Sequence, residues 1–126
     1  MKPTNRPLSP HLQVYRLPLV SVLSIMHRIT GVALAGGLVL LAIWLGSAAY
    51  GPTLYDRVSE LLGSLIGRLV LFAFSVALYF HLCNGIRHLV WDTGRGFDLP
   101  NVAKSNRLVI AGTLALTALT WAIALT

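Results

Sequence analysis

Three long apolar stretches separated by two short polar connections set the pattern of this chain. They run from about Leu19 to Tyr50, Leu61 to Val90 and Leu108 to Leu125. A helix needs about 20 residues to cross the hydrocarbon of a bilayer, so each stretch is near or above that length. The pattern predicts an all-α integral membrane protein with three transmembrane helices over 19–50, 61–90 and 108–125, the whole of 19–126 acting as a membrane anchor. A proline-rich arm precedes it over residues 1–18. The first connection, Gly51 to Glu60, has Gly-Pro punctuation and is expected to be a short polar turn. The second, Thr93 to Pro100, is expected to be a glycine-rich loop that ends the second helix.

The few polar residues inside the spans are not scattered. Ser24, His27, Arg28 and Gly31 recur at i, i+3, i+4 and i+7, one face of the first helix. After Arg28 no charge appears until Asp56. His81, Gly85, His88 and Asp92 likewise share one face of the second helix. Polar groups in lipid are costly and mark a buried partner, a ligand or a water path. The last span has no ionisable side chain and is expected to be a packing helix, with Trp121 near the interface. Gly36 and Gly37 allow a neighbouring helix to approach. Cys83 is alone, so it reads as a small hydrophobe, and Arg68 reads as a snorkelling charge.

Composition sharpens this. With 126 residues, 56% hydrophobic and 11% charged, there is no room for a soluble catalytic domain. The arm has prolines at Pro3, Pro7 and Pro10 and no apolar core, which excludes a signal peptide and argues against an amphipathic transit helix. It reads as an extended arm, docked on a partner or free. Lys2, Arg6 and Arg16 in the arm, with Arg87, Arg95, Lys104 and Arg107 around the second connection, outweigh Arg57 and Arg68 around the first. The positive-inside rule therefore places the N-terminus in the cytoplasm. The net charge of +6 belongs to that rule and to anionic lipid, and nothing points to nucleic acid.

Antiparallel neighbours would bring His27 and His81 to one depth on the cytoplasmic side. Imidazole ligates haem iron, and a glycine such as Gly85 admits a flat macrocycle. Arg28 and His27 offer donors to anionic propionates. His81 and His88 lie on one face about 10 Å apart, so they cannot grip one iron from opposite sides. The second ligand is His27 or comes from another chain. Each histidine alone would more often be a satisfied buried imidazole; two polar faces at one depth reverse that preference. Ser24 and Arg28, one turn apart, also suit a quinone, whose oxygens need donors when buried. The competing reading has Ser24 bonding back to its own helix.

Arg6-Pro7-Leu8-Ser9-Pro10-His11, followed by Ser24-Ile25-Met26-His27-Arg28-Ile29-Thr30-Gly31, closely resembles the N-terminal signature of the succinate dehydrogenase cytochrome b subunit. His81-x-x-x-Gly85-Ile86-Arg87-His88 through Trp91-Asp92 resembles its second signature. The resemblance implies a complex of four subunits: a flavoprotein, an iron–sulfur protein and two membrane anchors bundled together, this chain matching the larger. It implies His81 as an axial ligand of haem b, the other axial histidine coming from the smaller anchor. It places ubiquinone at Ser24 and Arg28, with His27 near the propionates and Gly85 and His88 near the haem. FAD and iron–sulfur clusters would sit on the partners only. Similarity to the alphaproteobacterial and mitochondrial branch, without a transit peptide, implies a bacterial inner membrane. A haem-free structural anchor and a stand-alone membrane cytochrome b are the rival readings.

Overall fold

The computed structural model describes residues 16–126, so the expected arm lies outside the described residues except for Arg16 to Pro18. Four helices follow in order: α1 (Leu19–Ala49), α2 (Pro52–Gly63), α3 (Leu65–Asp92) and α4 (Leu99–Ala124). Of these α1, α3 and α4 are long and apolar enough to cross a membrane. The described residues contain no strand. The chain is an all-helical, multi-pass membrane protein.

The first connection corrects the expectation of a short polar turn. Gly51 reverses the chain at φ +113°, and Pro52 then opens helix α2. Proline lacks the donor that a first helical residue leaves unpaired, and its fixed φ already suits a helix. Leu54, Tyr55, Val58, Leu61 and Leu62 then repeat at helical spacing, while Asp56, Arg57 and Glu60 take other positions. Trp44 near the end of α1 ties α2 down: its ring lies 6.0 Å from Tyr55 and its Nε1 donates to Ser59 Oγ at 3.3 Å. Ser64 separates α2 from α3, closing the first and capping the second by accepting from Gly67 N at 3.1 Å.

Thr93 and Gly94 end α3, and Gly94 and Gly96 take the positive φ values of 77° and 81° that the turn requires. Trp91 closes this loop, stacking on Phe97 and donating Nε1 to Gly96 O at 3.3 Å. Helix α4 begins at Leu99, ahead of the apolar run at Leu108. Asp98 caps it, and the Asn101 side chain bonded to its carboxylate holds that group below the usual carboxylate range.

Helix α3 packs against both α1 and α4. The bundle is polar within and apolar without. Among the described residues the buried apolar side chains are Leu23 and Val109, whereas Thr30, Ser47, Asn84, Arg87, Asn106, Thr113 and Thr117 are all buried. Lipid is as apolar as leucine, so helices in a bilayer associate through close packing of small groups and interhelical hydrogen bonds. Tyr79 pairs with Thr120 at 2.5 Å, and Trp121 donates to Ser75 Oγ at 2.9 Å, which ties Trp121 to α3.

Cys83 Sγ lies where a side chain on Gly112 would begin, 3.0 Å from an added Cβ. The Gly36–Gly37 pair divides its roles. An added Cβ on Gly37 would stand 2.9 Å from the Phe74 ring, whereas Gly36 faces open space. Gly37→Leu is expected to force α1 and α3 apart, at the roughly 1–3 kcal/mol usual for overpacking. Gly36→Leu should leave packing unchanged. Thermal midpoints of the purified variants test the contrast, and equal midpoints would remove Gly37 from the contact.

Candidate functional site

Helix α1 brings His27, and α3 brings His81 and His88, into one cluster. The His27 ring stacks on His81 with centroids 3.9 Å apart and planes 13° apart. It also meets His88 at 5.1 Å. His27 thus sits between two residues that α3 holds on one face two turns apart. His88 in turn meets the edge of Trp91 at 5.2 Å.

His81 is fixed at one ring nitrogen. Its Nδ1 lies 3.1 Å from the carbonyl oxygen of His27 and 3.2 Å from Thr30 Oγ1. The Thr30 hydroxyl itself bonds back to Met26 O at 2.9 Å and His27 O at 3.0 Å, as a threonine inside an apolar helix does. A carbonyl oxygen can only accept, so Nδ1 carries the proton and Nε2 carries the lone pair. This is the tautomer a metal requires, and a backbone carbonyl behind the ring is how metal-binding imidazoles are commonly oriented. Among the described residues Nε2 has no hydrogen bond.

The glycines divide differently from the sequence expectation. An added Cβ on Gly31 would stand 3.1 Å from His81 Cε1, tighter than most real contacts. On Gly85 it would meet only His27 Cε1, at an ordinary 3.8 Å. Gly31, more than Gly85, is the residue that lets the imidazole lie flat against α1. No group of three or more histidine, cysteine, aspartate or glutamate side chains among the described residues is placed to hold a metal ion. A metal on His81 would take its other ligands from outside the described residues, as the iron of a macrocycle does. The buried Nδ1 of His27 has no partner among the described residues, leaving one polar atom beside His81 for a further group. On these three observations the residues fit a haem.

Ser24 is half-buried and Arg28 exposed on the same face of α1. Ser47, Ser75 and Ser105 all bond back to a carbonyl of their own helix. Ser24 makes no such bond among the described residues, so its hydroxyl remains able to donate. Asp92, at the end of α3, is exposed.

Some buried polar residues escaped the sequence reading. Arg87 counts there as a cytoplasmic charge and a signature position without a role; in the structure it is buried on the α4 side of α3, donating Nη1 to Asn106 Oδ1. Asn84 is wholly buried, and neither amide atom has a partner among the described residues. An amide and a guanidinium in an apolar run were the available signals. Spacing alone showed neither residue's partner.

Comparison with known proteins places the chain in a family. Residues 2–120 match the family described as the succinate dehydrogenase/fumarate reductase transmembrane subunit. The chain is 46% identical over 116 residues to the succinate dehydrogenase cytochrome b556 subunit of Paracoccus denitrificans, covering 92% of this chain and 89% of that protein. It is 42% identical over 117 residues to the cytochrome b556 subunit of Rickettsia felis, covering 93% and 91%. Against the mitochondrial succinate dehydrogenase cytochrome b560 subunit of Homo sapiens, identity is 39% over 116 residues, covering 88% and 67%.

Proposed function

The chain belongs to the succinate dehydrogenase/fumarate reductase transmembrane subunit family, and from that membership we propose that it is the larger, haem b-binding anchor of a succinate:quinone oxidoreductase. In this reading it sits in a bacterial inner membrane with its N-terminus cytoplasmic. It is bundled with a smaller anchor and carries a flavoprotein and an iron–sulfur protein on its cytoplasmic side. It links succinate oxidation in the citric acid cycle to the quinone pool. FAD and the iron–sulfur clusters belong to the partners, so the chain catalyses nothing alone.

The supporting observation is the fixed His81 ring. Haem, when bound, supplies a one-electron centre between the iron–sulfur protein and the membrane. His81 would hold the iron through Nε2, with a further ligand from the smaller anchor. The His27 carbonyl keeps the Nδ1 proton in place, and Thr30 braces that contact. Arg28 and His27 offer donors to the propionates, while Gly85 and His88 border the haem. Ser24 and Arg28 hold ubiquinone by donating to its oxygens, and these bonds strengthen as the oxygens gain negative charge.

Purification of the complex through a tag on this chain tests the reading. The expected result is co-purification of three partner subunits with a reduced b-type haem spectrum and succinate:quinone reductase activity. The full assembly without a haem spectrum would make the chain a structural anchor. A haem spectrum without soluble subunits would make it a stand-alone cytochrome.

A further inference from the structure

Arg87 is a buried cation that the proposed chemistry leaves unused. It lies about 120° around α3 from His81, facing α4 rather than the histidine cluster. Only 5% of it is exposed. Its Nη1 donates to Asn106 Oδ1 and its guanidinium lies over the Trp91 ring at 4.6 Å. Nε and Nη2 have no partner among the described residues. A buried cation whose remaining donors are unpaired calls for an anion.

The cavity that Arg87 lines can receive one. It measures about 440 Å³ between α3 and α4, and no carboxylate lines it. Ile86, Val90, Leu108 and Val109 form apolar walls, and the exposed Lys104 adds a second cation. On the outer face of α4, Lys104 and Leu108 continue into an open surface with Arg107. Arg87 and Lys104 thus lie beside one apolar recess. Arg87 also lies roughly 7–8 Å in from the end of α3, by the helical rise, which is the level where headgroups meet hydrocarbon. A free anion would use the charges and leave the apolar recess empty. A partner's carboxylate would satisfy Arg87 and leave Lys104 and the apolar walls unexplained.

We propose that the α3–α4 cavity binds a phospholipid, its phosphate on Arg87 and Lys104 and an acyl chain against the apolar walls between the two helices. The lipid would complete the hydrogen bonding of a buried guanidinium and cover the α3–α4 seam.

The test uses the whole purified complex, stripped of lipid in detergent and titrated with phosphatidylglycerol under native mass spectrometry. The wild-type complex is expected to hold one phosphatidylglycerol more than Arg87→Gln. Lys104→Glu, at an exposed position where folding is not at stake, should weaken that binding by roughly tenfold or more. Arg68→Gln, at the opposite end of α3, should bind as wild type does. If Arg87→Gln fails to assemble, Lys104→Glu decides the matter. Excess inorganic phosphate should not displace the lipid, because it lacks the chains. Equal lipid counts in wild type and Lys104→Glu overturn the proposal. So does full displacement by phosphate, or a wild-type complex that takes up no lipid.

Discussion

His81→Ala is expected to leave the assembled complex without its low-spin haem b spectrum. The alanine removes the one nitrogen in the cluster whose proton is already placed on the opposite side of its ring, on the carbonyl of His27. His88→Ala should keep one haem, since His88 packs against His27 and Trp91 rather than holding iron. Thr30→Val gives the intermediate case: the ligand stays but loses the hydroxyl at 3.2 Å. Loss of such an orienting partner typically costs about 10–100-fold in metal affinity. Haem per complex, read from reduced-minus-oxidised spectra, should therefore rank wild type and His88→Ala first, Thr30→Val next and His81→Ala last. An unchanged low-spin haem in His81→Ala would end the assignment.

Ser24→Ala is expected to lower quinone reduction while sparing succinate oxidation. The hydroxyl makes no bond back to its helix among the described residues, so alanine costs α1 little. What it removes is a donor to an oxygen that gains negative charge. A charge-assisted hydrogen bond is worth roughly 1.5–3 kcal/mol, which corresponds to about one to two decades in rate. Arg28→Leu should be worse, because it removes the cation proposed to serve both quinone and propionate. In the proposed assembly the flavin lies on a partner, so oxidation of succinate with a soluble artificial acceptor should persist wherever the complex assembles. The quantity to measure is the ratio of the two activities. If Ser24→Ala leaves that ratio unchanged, the serine is a packing residue and the quinone belongs elsewhere.

Periodicity alone was enough to place His27 with Ser24 and Arg28, and His81 with His88, because side chains at i, i+3, i+4 and i+7 share a helix face whatever surrounds it. Span length and the sparseness of charge made the membrane bundle legible for an equally local reason. The antiparallel order of two spans brought His27 and His81 to one depth. Which atoms then meet was not legible. The His27 carbonyl behind His81, the Thr30 brace, the flat approach at Gly31 and the burial of Arg87 against Asn106 depend on how each helix is rotated and how closely it packs. Helix α2 was missed because Gly-Pro was read only as a turn, although Pro52 also starts a helix and Trp44 gives it a surface to hold. The helical period states which residues share a face; only packing states what that face meets.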